Sequence, residues 1–198
     1  YLNDWKIKEL ASGKELTPEQ IQTIVTKKVR QEKVANKDIK MRTFISTTDK
    51  RNDLASYVYD ITYGTIKPKV DNLVVIDDSI VRGTTLKQNI LNILDRLEPK
   101  KIIVVSSSPQ IRYPDYYGID MEKFDHFVAF KAALELLYEN GKRSIIDETY
   151  RACLEELKKP DEEQVNCTRA IYHPFTADEI SRKIADLLKP VDLNAELE

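Results

Sequence analysis

Leu73-Val74-Val75-Ile76-Asp77-Asp78-Ser79-Ile80-Val81-Arg82-Gly83-Thr84-Thr85 joins a short apolar run to two acids, a glycine-containing loop and a pair of threonines. Four apolar, mostly β-branched residues are too few for a helix and predict a buried strand of a parallel sheet. Beyond the loop, Leu86, Ile90, Leu91, Ile93, Leu94 and Leu97 recur at helical spacing. Lys101 to Val105 is a second β-branched run, set off by the turn residues Glu98-Pro99-Lys100. Residues 73–105 therefore predict one strand–helix–strand unit.

Each part of this unit suits one kind of ligand. Asp77 and Asp78 leave their strand at its carboxyl end, where ligands of parallel α/β sheets sit. At a crevice they can accept hydrogen bonds from sugar hydroxyls or lie near Mg²⁺. Gly83 permits a positive φ or a close backbone approach. Loop N–H groups and the helix N-terminus attract a phosphate, to which Thr84 and Thr85 can donate. The predicted ligand is a sugar phosphate with a divalent ion. A plain turn whose acids cap a helix would account for either Asp alone, but not for the whole order of residues.

VVIDDSIVRGTT resembles the phosphoribosylpyrophosphate-binding signature of the glutamine phosphoribosylpyrophosphate amidotransferases, or amidophosphoribosyltransferases. Type I phosphoribosyltransferases share a looser version of it. Arg42-Thr43-Phe44-Ile45, Ser107-Ser108-Pro109 and Tyr117-Gly118-Ile119-Asp120 fit the same family, so the likeness covers about residues 36–137. It implies a type I phosphoribosyltransferase-like α/β fold: a parallel sheet flanked by helices, incomplete if strands lie elsewhere, with a C-terminal helical extension. The implied divisions are an N-terminal helical segment at 1–40 belonging to the same domain, a phosphoribosyltransferase core at 41–140 and the extension at 141–198.

The resemblance also implies a reaction: ammonia displaces pyrophosphate from C1 of phosphoribosylpyrophosphate, giving phosphoribosylamine for purine biosynthesis. Asp77 and Asp78 would hold the ribose hydroxyls and Mg²⁺. Ser79, Ile80, Val81, Arg82, Gly83, Thr84 and Thr85 would wrap the 5′-phosphate, with Arg42 and Ser107 also in the substrate site. No residue need transfer a proton, because positioning and charge can supply the rate. Some amidotransferases hold an iron–sulfur cluster through a cysteine in the 112–120 loop. Asp115 stands between Pro114 and Tyr116 here, so no cluster is expected. The family's mobile loop corresponds to 46–69, where Lys50-Arg51 is the only basic pair.

Residue 1 is Tyr, and neither the family's glutaminase cysteine nor its pyrophosphate-binding loop precedes Arg42. The chain is thus expected to be the C-terminal part of a larger protein, inactive alone, whose partners are the missing glutaminase and sheet portion. Unpaired edges and apolar surface would drive homo-oligomerisation. Rival readings are a nucleobase-salvage phosphoribosyltransferase, a non-catalytic phosphoribosylpyrophosphate sensor, and a helical partner-binding module at 142–198.

Composition agrees with a cytoplasmic globular domain. The 198 residues carry a net charge of −2 with both signs dispersed, which calls for neither nucleic acid nor an anionic membrane. Cys153 and Cys167 form no CxxC pattern, which argues against a disulfide framework or a zinc site. Thr17-Pro18-Glu19-Gln20 and Thr176-Ala177-Asp178-Glu179 read as capping boxes that open helices, the first running into Lys27, Lys28, Arg30 and Lys33. Further helices are predicted at 122–140 and 144–159, with a loose tail at 190–198.

Overall fold

A computed structural model describes residues 2–37, 59–115 and 121–198. Arg42, the strand expected at 41–45, much of the 46–69 segment and Tyr117 to Asp120 lie outside the described residues. The chain divides into two compact units, Tyr1–Val34 and Ala35–Glu198.

The first unit pairs helices α1 (Leu2–Leu10) and α2 (Pro18–Thr26). Thr17 caps α2 as predicted: its hydroxyl accepts from Gln20 N, and the Gln20 side chain accepts from Thr17 N. The helix stops at Thr26, short of the expected basic end. Lys27, Lys28, Arg30 and Lys33 therefore lie beyond it. Lys27 instead sits 4.3 Å over the Trp5 ring, and Lys6 Nζ donates 2.8 Å to Val25 O.

The second unit begins with a short antiparallel pair, β1 (Ala35–Lys37) and β2 (Tyr59–Ile61). Its main sheet is parallel and three-stranded, ordered β3 (Asn72–Asp77), β4 (Lys101–Ser106) and β5 (Glu196–Leu197). The two strands read from the apolar runs are present and adjacent, with Asp77 opposite Ser106. Helices flank the sheet, as expected for this α/β class.

Between β3 and β4 the chain turns helical at Thr84, winds as a π-helix over Leu86–Ile90 and continues as α3 (Leu91–Asp95). The wide turn does not upset the apolar stripe. Leu86, Leu91, Ile93, Leu94 and Leu97 are all buried. The helix predicted at 122–140 is shorter: a 3₁₀ turn at Phe124–His126 precedes α4 (Val128–Glu139). Then follow α5 (Ser144–Glu156), α6 (Arg169–Tyr172) and α7 (Ala177–Leu188). The Thr176 capping box of α7 forms as read, with Thr176 Oγ1 accepting from Glu179 N. A helical core gathers Ala129, Ala132, Ala133 and Leu137 of α4 with Ile171 and Tyr172 of α6 and Ile180 of α7.

The expected loose tail is instead the third strand. Asp95 accepts from Asn194 N, Asn194 Nδ2 and Ala195 N at 2.9–3.1 Å. Glu198 N donates to Ile102 O, and Val104 N donates to Glu198 O. Lys101 Nζ lies 2.8 Å from both Glu196 and Glu198, which hold its ammonium above the usual lysine range. Leu193 and Ala195 are buried. The tail is short and polar, so no periodicity announces a strand, and its order comes from partners about a hundred residues earlier.

Candidate functional site

The site begins where β3 ends. Alternation along the strand turns Asp77 to the same side as Leu73 and Val75, half-buried, and leaves Asp78 exposed. Each acid folds one oxygen back on the chain. Asp77 Oδ1 accepts from Asp78 N at 2.9 Å, and Asp78 Oδ1 accepts from Ser79 N at 2.7 Å. Burial is the largest influence on Asp77 and raises its carboxyl above the usual range, despite the opposing bond from Asp78 N. A carboxylate held at an energetic cost beside a second one suits a site that receives a cation or hydroxyl donors.

The end of β4 braces this pair. Ser107 N donates 2.8 Å to Asp77 O, Ser108 N donates 3.1 Å to Asp78 O, and the Ser107 hydroxyl reaches both carbonyls at 3.2 and 3.1 Å. Ser107 thus lies at the site, with its hydroxyl spent on the backbone of the acids.

The loop that follows is anchored from two directions. Val128 N, at the start of α4, donates 2.8 Å to Val81 O, and an Arg82 guanidinium nitrogen lies 2.9 Å from His126 Nδ1. On the other side, Gly83 takes φ 69° and packs against Leu188 at the end of α7. A Cβ at Gly83 would come within 2.7 Å of Leu188 Cδ1 and closer still to Cδ2. The dihedral favours glycine, and any side chain there would also have to displace the buried Leu188 methyls. Lys87 N closes the turn on Gly83 O at 2.9 Å. Thr84 and Thr85 are exposed at the opening of the helix, where the first N–H groups have no intrahelical acceptor.

Asp77, Asp78, the loop Ser79 to Thr85 and Ser107 therefore converge on one end of the sheet. Arg42, the remaining residue of the expected site, lies outside the described residues. Behind the loop, Ile80, Leu86, Val104, Ile184 and Leu188 line an apolar cleft of about 660 Å³. No group of three or more metal-ligating side chains exists among the described residues. Two adjacent carboxylates nevertheless suit Mg²⁺, which takes one or two protein carboxylates and completes its shell with water and substrate phosphate oxygens.

Sequence comparison bears on the same point. No family model matches the chain. Among curated proteins, the amidophosphoribosyltransferase of Haemophilus influenzae is 47% identical over 62 residues, which is 31% of this chain and 12% of that protein. The Escherichia coli amidophosphoribosyltransferase is 29% identical over 129 residues, 63% of this chain and 25% of that protein. That of Pyrococcus horikoshii is 42% identical over 74 residues, 37% of this chain and 16% of that protein. The chain is related to the amidophosphoribosyltransferases. It spans only about an eighth to a quarter of the length of these relatives. The amidophosphoribosyltransferases are transferases, and the α/β fold described here is compatible with their phosphoribosyltransferase part.

His126, Lys87 and Leu188 reach the loop without a signal in the sequence. Each belongs to an amphipathic or polar stretch in which it looks ordinary. Only Gly83 hinted that something approaches the loop closely, and not what. No helix among the described residues is long and apolar enough to cross a membrane.

Proposed function

We propose that this chain is the phosphoribosyltransferase part of an amidophosphoribosyltransferase acting in cytoplasmic purine biosynthesis. It binds phosphoribosylpyrophosphate with Mg²⁺ so that ammonia can displace pyrophosphate at C1. The observation that carries this reading is the convergence of Asp77, Asp78 and the Gly83 loop at one strand end, in a chain whose curated relatives are all amidophosphoribosyltransferases.

The Asp77 and Asp78 carboxylates, which lie close enough to interact, would accept the ribose hydroxyls and hold the ion. The Mg²⁺ that these two carboxylates would hold would supply charge neutralisation for the departing pyrophosphate. Backbone N–H groups at the start of the helix, with the Thr84 and Thr85 hydroxyls, take the 5′-phosphate. Fixing the phosphate and the ribose hydroxyls together holds C1 open to the incoming ammonia. The carboxylates also favour the positive charge that develops on the ribose ring. Burial already makes the charged form of Asp77 costly, so a cation or a hydroxyl donor there relieves an existing penalty.

This reading further assigns the glutaminase and the remaining sheet to other parts of the parent protein. The isolated 198 residues then form little or no phosphoribosylamine from ammonia. The exposed apolar side chains of the sheet, Val74, Ile76 and Val105, support association with the rest of the parent or with a second copy.

Calorimetric titration of phosphoribosylpyrophosphate with Mg²⁺ tests the site. The wild-type chain should bind, and Asp77→Asn/Asp78→Asn should weaken binding at least about a hundredfold, the loss of two charge-assisted contacts. Equal affinities would remove the roles given to the acidic pair.

A further inference from the structure

We infer that the last turn of α7 is a working part of the phosphate loop, with Leu188 and Lys87 as the residues that position it. This rests on the reading of that loop as a phosphate cradle and gives residues 141–198 a role in it.

Two independent contacts tie the loop–helix junction to the same turn. The first is steric. Leu188 is buried, and its δ-methyls occupy the space where any side chain at position 83 would begin. The second is polar. Lys87 Nζ donates 2.8 Å to Leu187 O, one of the carbonyls that a helix leaves unpaired at its C-terminus. An ammonium there also complements the negative end of the helix dipole. Gly83 and Lys87 are themselves joined by the bond from Lys87 N to Gly83 O. The turn of α7 therefore grips both ends of the segment that presents the Thr84 and Thr85 N–H groups.

The surroundings explain why this grip matters. Ile80, Leu86 and Leu188 share the mainly apolar cleft behind the loop. Leu188 and Lys87 hold the junction on that side, and Val128 and His126 secure the opposite one. Lys87 stands four residues after the phosphate-loop glycine. Here its ammonium is committed to protein 100 residues away. A site that depends on N–H groups aimed at an anion loses affinity when they shift by a fraction of an ångström.

The test uses the full chain and two readouts. In the first, ribose 5-phosphate and phosphoribosylpyrophosphate with Mg²⁺ are titrated calorimetrically into wild type, Leu188→Ala, Leu188→Met, Lys87→Met and Lys87→Arg. Leu188→Ala and Lys87→Met should raise Kd for both ligands by about tenfold at unchanged stoichiometry. Leu188→Met and Lys87→Arg should stay within about threefold of wild type, since each keeps the volume or the donor. A purely structural role would lower the number of binding-competent molecules and leave Kd alone, and that result would overturn the proposal.

The second readout needs no ligand. Amide hydrogen exchange at Gly83 to Lys87 should accelerate in Leu188→Ala and Lys87→Met, with exchange in α4 unchanged. Loop exchange at the wild-type rate in both variants would also overturn the proposal. Failure of the wild type to bind either ligand, with the loop still loosened by these variants, would sink the phosphate-cradle reading and leave the positioning contact standing.

Discussion

The two faces of the β3–β4 sheet are built from the same kind of residue and meet different surroundings. On one face Ile102 is fully buried and opposite Leu73, and the neighbouring Val104 looks into the cleft beside α7. On the other, Ile76 is 74% exposed and Val74 56% exposed. An apolar run of four residues predicts cover on both sides. The described residues supply it on one. The difference teaches that the run reports the environment a strand is selected for, which can include a partner surface, and not only what lies within one compact unit.

Paired substitutions would break or sharpen this contrast most strongly. Ile102→Ala should cost about 2–5 kcal/mol, the range for emptying a well-packed site. Ile76→Ala should fall within about 0.5 kcal/mol, as at other exposed positions. Urea unfolding of both variants at several protein concentrations measures this. A large, concentration-dependent cost at Ile76 would show that the outer face is covered by a second copy in solution.

The next effect lies at the sheet's margin. Asp95→Ala removes the acceptor for three N–H groups around Asn194 and Ala195 and should cost about 1–3 kcal/mol. Amide exchange should then show residues 194–198 released while β3–β4 pairing persists. Unchanged protection there would mean that Lys101 and the backbone ladder alone hold β5.

The smallest effect concerns Asp77, which lies on the buried side of β3. Its folded carboxyl is raised by burial, so the stability linked to its protonated form is complete at low pH and is lost as pH rises through the folded value. Asp77→Asn should therefore raise Tm slightly at neutral pH while weakening ligand binding. It should also flatten the decline of Tm between the ordinary carboxylate range and the raised value. A thermal-melt series from about pH 3 to about pH 7 reads this, and a lower Tm for the variant at neutral pH would refute it.

The strand–loop–helix unit was legible because its signals are local. β-Branched runs, capping boxes and a glycine between polar residues each act within a few positions, and the structure places them where the pattern indicates. What the pattern missed depends on distant partners. The C-terminal residues became a strand because β4 had a free edge and Asp95 had oxygens to accept their N–H groups. Helix α2 ended early, at Thr26, although the apolar stripe of Ile21, Ile24 and Val25 recurs at Val29, which is exposed beyond the helix. His126 reaches the loop through Arg82, a pairing across 44 residues. The acidic pair and Ser107 were legible in the sequence; the braces of the loop that follows, Val128, His126, Lys87 and Leu188, were not.

The pairing of β5 with β4 also sets an order of events. A hundred residues separate Asp95 from Ala195, so this contact closes a long loop and contributes nothing until residues 194–197 have been made. During synthesis β3 and β4 can pair early, but β4 then offers a bare hydrogen-bonding edge next to an uncovered apolar face. That half-built sheet is the species most exposed to misassociation. Residues 194–198 protect it by pairing with that edge, which further strengthening of the core cannot do.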